Sequence, residues 1–242
     1  MNTVKEGVNF NLVEICDNTK IANWLKRTFN AWEPFTFESF RQAANPNKIA
    51  IDVGSWIGLT GIWLCKNFKH VLCVEADKLS VKALEANLKA SDCQNYSIIP
   101  YALYNSKTKL YFGPNSFIEN PTLNDSMSQL KTTTDKSDDY AIDTIIFSDI
   151  IKDIPVDDIG LLKVDIEGGE ENIIEELMLF STEHKIPILL SFHISWWKNK
   201  NVDRFVHLFE TCTIKTDSND TVTNLSEFLT AHPFCTFFCT YV

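Results

Sequence analysis

Lys48-Ile-Ala-Ile-Asp-Val-Gly-Ser-Trp-Ile-Gly-Leu-Thr-Gly-Ile-Trp-Leu-Cys65 is the stretch on which the fold turns. Ile49, Ala50, Ile51 and Val53 make a short apolar run broken only by Asp52 near its end. Such a run suits a strand buried on both faces, as in a parallel sheet. Gly54 and Gly58 interrupt it, and Leu59, Ile62 and Trp63 resume the apolar pattern at helical spacing. Strand, glycine-bearing turn and helix in that order bring backbone close to a ligand at the carboxyl edge of a sheet. Taken alone, the two glycines are weak evidence for a ligand, and a tight strand-to-helix connection accounts for them more simply.

Lys69-His-Val-Leu-Cys-Val-Glu-Ala-Asp77 supplies the second half of the signal. Val71 to Val74 reads as another buried strand, and it ends in Glu75, 23 positions after Asp52. That separation holds one turn, one helix and a return strand. A carboxylate at this point is placed to accept both hydroxyls of a ribose. Asp77 fits the N-cap of a helix over Leu79 to Ala90.

The chain has 242 residues, is 45% hydrophobic and contains 17 Phe, which suits one large folded core. Lys+Arg of 22 against Asp+Glu of 32 gives a formal net charge of −10. That balance disfavours nucleic acid as a partner, because phosphate backbones need an electropositive footprint. The seven cysteines show no C-x-x-C pair, and Cys65 and Cys73 sit in core-like segments. They read as reduced small hydrophobes. No basic stretch followed by an apolar one opens the chain, and no run reaches the ~18 apolar residues of a membrane span. A cytoplasmic location without a membrane span is the expectation.

Residues 1–47 read as an N-terminal extension with short helices packed on the core, and 48–242 as the main domain. Phe10 to Ile15 suggests a short strand or arm, and Ile21, Trp24, Leu25 and Phe29 share a helical face. The spacing predicts strands over 49–53, 71–74, 97–100, 161–166, 187–192, 212–216 and 236–242. It predicts helices over 58–67, 78–90, 170–179, 202–210 and 224–229. Tyr101 to Phe112 reads as a strand or hairpin near the sheet edge, and Ile142 to Ile151 as a strand entering a short helix. Gly113 to Asp139 is polar and aperiodic, which suits either a binding loop, closing as a lid, or a partly disordered segment. The alternation gives an α/β fold, a parallel sheet with helices on both faces.

Asp165, Glu167, Glu170 and His193 gather at the ends of candidate strands, where such folds place their chemistry. Gly168 and Gly169 let the chain turn closely past them. Glu170 also fits the start of a helix, which favours acidic residues. His193, taken as neutral, is the first candidate to remove a hydroxyl proton, with Asp165 the second. Asp165, Glu167, Glu170 and His193 together would alternatively suit Mg²⁺. The absence of H-E-x-x-H, G-x-S-x-G and P-loop patterns argues against those chemistries, and the lack of G-x-G-x-x-G against NAD.

With these residues in place, the chain resembles the FkbM family of S-adenosylmethionine-dependent O-methyltransferases. Trp32-Glu-Pro34 is similar to an element preceding that family's first strand. Ile51-Asp-Val-Gly-Ser-Trp-Ile-Gly58 is similar to its glycine motif, and Leu162-Lys-Val-Asp-Ile-Glu-Gly-Gly-Glu170 to its most specific signature. The resemblance implies a doubly wound, Rossmann-like class I methyltransferase fold with a mostly parallel seven-stranded sheet. It implies a cofactor site of Asp52, Gly54, Ser55, Trp56, Gly58, Glu75 and Ala102. Gly54 and Gly58 would lie along the methionine and ribose, Glu75 on the ribose, and Tyr101-Ala-Leu103 beside the adenine. Asp165 would lie near the transferred methyl. Trp56, where the family's motif carries asparagine, would cover the cofactor or flank the acceptor. The implied acceptor is a hydroxyl of a sugar or glycan, with Trp196 and Trp197 either stacking on it or filling the core. Methylation of a non-sugar small molecule or lipid, and a catalytically inactive nucleoside-binding or protein-interaction module, are the competing readings.

Overall fold

The computed structural model describes residues 1–13, 19–114, 128–134, 139–218, 222 and 224–241. The chain enters through an antiparallel hairpin, β1 (Asn2–Lys5) and β2 (Val8–Asn11), followed by α1 (Thr19–Thr28) and α2 (Pro34–Ala43). The first wound half is β3 (Asn45–Val53), α3 (Leu59–Asn67), β4 (Phe68–Val74), α4 (Lys78–Ala90) and β5 (Tyr96–Ile99). Four short strands then form a separate sheet: β6 (Ala102–Leu103), β7 (Lys109–Gly113), β8 (Gln129–Lys131) and β9 (Tyr140–Ile145). The second half is α5 (Phe147–Ile151), β10 (Ile159–Val164), α6 (Ile174–His184), β11 (Ile188–His193), β12 (Thr213–Thr216), α7 (Leu225–Ala231) and β13 (Phe234–Thr240).

The main sheet has seven strands in the order β12-β13-β11-β10-β3-β4-β5. The β11, β10, β3, β4 and β5 pairings are parallel, and β13 runs antiparallel to both β11 and β12. The winding reverses between β3 and β10, which opens a crevice at their carboxyl ends. This is the mostly parallel, doubly wound sheet of the class I methyltransferase fold.

Strand parity sets the two core layers. Ala50 of β3 and Leu161 of β10 face a cluster with Leu25, Phe40, Ile62 and Leu88 from α1 to α4. Ile51 and Leu162, one step along, face the opposite cluster with Phe147, Leu177, Met178 and Leu229. Ile51, Leu162 and Leu190 are almost fully buried, each contributing about 1.5–3 kcal/mol of apolar burial. Among the described residues no helix is long and apolar enough to cross a membrane.

Several elements differ from expectation. Tyr101 to Phe112 does not extend the main sheet; it supplies β6 and β7 of the small one. Helix α2 was not foreseen. Pro34 at its first position and the buried Phe37 and Phe40 explain it. The helix expected from Glu170 begins at Ile174, after a tight 3₁₀ turn over Gly169–Asn172. The Glu170 carboxylate folds back onto its own turn and holds it open. Residues 202–210 contain only a 3₁₀ turn, Val206–Phe209. The expected lid falls mostly at 115–127 and 135–138, outside the described residues; its end strand is β8.

Candidate active site

The turn between β3 and α3 is shaped by two left-handed glycines. Gly54 has φ of 82°, and a Cβ there would lie 1.8 Å from the Asp165 carbonyl oxygen, so only glycine lets the two strand ends touch. Gly58, with φ of 94°, opens α3. Between them Trp56 is held at φ 46°, rare for a bulky residue. Its amide donates to Glu75 Oε2 at 2.7 Å, while the Asp77 amide donates to Oε1 at 2.8 Å. Burial pushes the Glu75 carboxyl up to about 7, against the pull of those two amides. Asp77 caps α4 by accepting from the Leu79 amide at 3.1 Å, and also accepts from the Ser80 and Tyr140 hydroxyls, each at 2.9 Å.

Gly54, Trp56, Glu75, Asp77, Tyr101, Ala102, Asp165 and Glu167 line one cavity at the crevice, with Leu103 and Phe112 in its apolar wall. Asp52, Ser55 and Gly58 do not line it. Asp52 shares the parity of Ala50 and therefore points under α3. It is fully buried, with Oδ1 3.2 Å from Lys163 Nζ and Oδ2 accepting from the Thr60 hydroxyl at 2.7 Å. The Ser55 hydroxyl donates to the Asp52 carbonyl at 2.8 Å. Lys163 Nζ also donates to the Gly54 carbonyl at 2.7 Å. Burial alone would lower the Lys163 pKa, but Asp52, Asp165 and Glu33 outweigh it and raise it. Asp52 thus supports the turn from beneath.

On the other side of the crevice, His193 at the end of β11 faces three carboxylates. Its Nδ1 lies 3.0 Å from Glu170 Oε1, and its Nε2 lies 3.2 Å from Glu167 Oε2 and 3.7 Å from Asp165 Oδ1. Burial by itself would lower the His193 pKa, but Glu170 first, then Glu167 and Asp165, hold it at about 10. The ligand-free imidazole is therefore a cation at neutral pH, contrary to the neutral base expected from sequence. The carboxylates gathered at the strand ends are the physical reason.

Glu170 is fully buried and committed to the fold. It accepts from the amides of Ile166 (3.2 Å) and Gly168 (3.1 and 3.2 Å), from His193, and from the Trp197 indole at 3.0 Å. Its pKa is lowered: burial opposes this, but His193 and these donors prevail. It therefore stands behind His193, while Asp165, Glu167 and His193 bring their ligand atoms within 4.8 Å of one another. Asp165 Oδ1 is occluded and makes no hydrogen bond among the described residues. Two oxygen ligands and an imidazole fit a hard divalent ion.

A second cavity adjoins the first, sharing Leu130, Glu167 and Gly169 with it. Trp196 and Tyr104 line it, with Gln129, Thr132, Asn172 and Lys198 as polar groups. Trp196 stacks on His193, centroids 5.2 Å apart and planes within 8°, and Phe234 meets both edge-on. The adjacent tryptophans have different surroundings. Trp196 faces a cavity, whereas Trp197 is 2% exposed and packs on Phe192 and Phe205.

Sequence reasoning assigned no part to Lys163 or Tyr140. Lys163 was legible, since a lysine inside an apolar strand implies a buried partner. Tyr140 was not, because the small sheet that carries it to Asp77 leaves only weak periodicity.

Structural comparison finds similar folds at low sequence identity. An rRNA methylase from Streptococcus thermophilus is 8% identical with a TM-score of 0.50, the match covering 86% of this chain and 95% of that one. A methyltransferase FkbM from Methylobacillus flagellatus KT is 16% identical with a TM-score of 0.49. That match covers 90% of this chain and 53% of the other, so the present chain spans about half of that protein. A putative O-methyltransferase from Klebsiella pneumoniae is 12% identical, TM-score 0.47, with coverages of 86% and 79%. No curated protein matches the chain. The methyltransferase FkbM domain, by contrast, matches residues 44–229, including the Gly54 turn, Glu75 and the Asp165 to Glu170 segment. The chain accordingly belongs to the methyltransferase FkbM domain family.

Proposed function

We propose that the chain methylates a hydroxyl oxygen of a sugar or glycan. The observation that carries this reading is the pair of cavities meeting at Glu167. One has an acid at the ribose position; the other presents an indole face ringed by amide and hydroxyl groups, as sugar rings require. Glu75 holds the ribose hydroxyls in this reading, the Gly54 turn follows the methionine part, and Ala102 lies beside the adenine. S-adenosylmethionine, when bound, supplies the sulfonium methyl group that the acceptor oxygen attacks.

The protein aligns the acceptor and takes up its proton. Asp165 and His193 are the candidate bases. Asp165 Oδ1 accepts no hydrogen bond among the described residues but is occluded until the acceptor site opens, whereas His193 must first lose its Nε2 proton. His193 meanwhile balances the charge of Asp165 and Glu167 and, through Trp196, fixes the floor of the acceptor cavity. If a divalent ion is used, Asp165, Glu167 and His193 Nε2 would hold it, and it would acidify the acceptor hydroxyl.

Labelled cofactor incubated with free sugars, nucleotide sugars, glycan fragments, lipids and nucleic acids, read by mass spectrometry, tests the reading. Label on carbohydrate supports it. Label only on a lipid, another small molecule or nucleic acid overturns the acceptor class.

A further inference from the structure

Ser128 lines the donor cavity but belongs neither to the glycine turn nor to the acidic cluster. It is 8% exposed, and its Oγ is buried with no hydrogen-bond partner among the described residues. Burying a hydroxyl unpaired is unfavourable, so such a group in a cavity wall marks a place where a ligand supplies the partner. Strand parity gives its direction. Ser128 continues the alternation of β8 on the face of Leu130. Leu130 pairs with Phe112, and both line the same cavity. Lys131, on the other face, is held by Asp139 at 2.9 Å. The Ser128 oxygen is covered in the ligand-free chain, and turning one side-chain torsion presents it to a ring that enters the cavity.

The wall around it is apolar. Ala102, Phe112 and Ile142 form a small cluster, with Ala76, Leu130 and Tyr140 packed against it. Such a wall suits a flat heteroaromatic ring, whose ring nitrogens still need protons. Protons are scarce in this cavity. Glu75, Asp77, Asp165 and Glu167 offer lone pairs. The Ser80 and Tyr140 hydroxyls already donate to Asp77, each at 2.9 Å. Tyr101 is 41% exposed, so water can satisfy its hydroxyl. The Trp56 indole Nε1 is another buried donor without a partner, but it belongs to the glycine turn. On the apolar wall, the buried side-chain proton left unspent is that of Ser128.

We infer that Ser128 is a donor-binding residue, its hydroxyl donating to a ring nitrogen of the purine held on this wall. The assignment rests on the donor reading given above and adds the group that reads the edge of the base.

Calorimetric titration of the full chain and of Ser128→Ala tests it, with S-adenosylhomocysteine and its 1-deaza, 3-deaza and 7-deaza analogues. Each analogue replaces one ring nitrogen by C–H. The substitution should weaken S-adenosylhomocysteine by ~3- to 10-fold, the effect of losing one neutral hydrogen bond. One analogue should bind wild type more weakly by a similar factor, and that analogue alone should bind both proteins equally well. Ligand-free Ser128→Ala should melt no lower than wild type, because the hydroxyl it removes has no partner in the fold. Unchanged affinity for S-adenosylhomocysteine, or the same loss for all four ligands, would overturn the inference. A lower melting temperature would do so too, by revealing a structural partner for the hydroxyl. Wild-type protein that binds all four ligands equally well refutes the Ser128 role alone. Binding of none refutes the donor reading and the Ser128 role with it.

Discussion

Replacing His193 by Gln should remove a distinct alkaline loss of stability from the protein. The imidazole is raised from an ordinary 6.5 to about 10 by its carboxylates, and its side chain is only 14% exposed, so solvent screens little of the interaction. A histidine with a raised folded pKa adds stability that is complete below the unfolded pKa and disappears as pH rises through the folded one. The shift of about 3.5 units sets a ceiling of ~5 kcal/mol, of which ~2 kcal/mol would be lost between about pH 6 and about pH 8. Three carboxylates share the one cation, so about half that ceiling is expected for the histidine itself. Urea unfolding of both proteins at about pH 6, 8 and 10 isolates the effect, because the other titrations largely cancel in the difference. Wild type should lose its advantage progressively toward the alkaline end. Parallel pH profiles for the two proteins would refute the charged-histidine description.

Glu75→Ala should weaken S-adenosylhomocysteine by ~1–3 kcal/mol, read by calorimetry, since bonds from a carboxylate to two hydroxyls are lost. Lys163→Met should cost ~3–5 kcal/mol in urea unfolding by stranding buried Asp52, and the double variant Asp52→Leu with Lys163→Met should recover much of it. Asp165→Asn should cut the methyl-transfer rate by ~10²–10⁴ with donor affinity largely kept. If chelator abolishes wild-type activity instead, and added Mg²⁺ restores it, the carboxylate acts as a metal ligand rather than as the base.

Much of this architecture could be read from sequence, because β3, β4, β10 and β11 are apolar on both faces and end in polar residues at the crevice. The Gly54 turn and Glu75 were visible for the same reason. Parity within a strand was the information left unused. Asp52 sits one residue out of step with the crevice, and its pairing with Lys163 across neighbouring strands follows from register. The charge on His193 was illegible because it depends on how the single connection between β10 and α6 folds its three carboxylates back onto the end of β11. Helix α2 was missed because its apolar residues, Phe35, Phe37 and Phe40, mimic strand alternation in part. Only Pro34 marks its start.

The outer edge of β11 is covered by β13, whose Phe234 lies opposite His193, and the Ile194 amide donates to the Pro233 carbonyl at 2.8 Å. This strand pairing has a consequence for biosynthesis. The glycine turn, Glu75 and the acidic cluster all leave the ribosome well before residue 234, and the parallel strands that carry them can associate early. The histidine cannot be seated until the last strand has inserted between β11 and β12, more than forty residues later. A nascent chain would thus acquire its glycine turn and acidic cluster first and the strand beside His193 last. During that interval β11 is an open hydrophobic edge, the part of the molecule most exposed to misassembly.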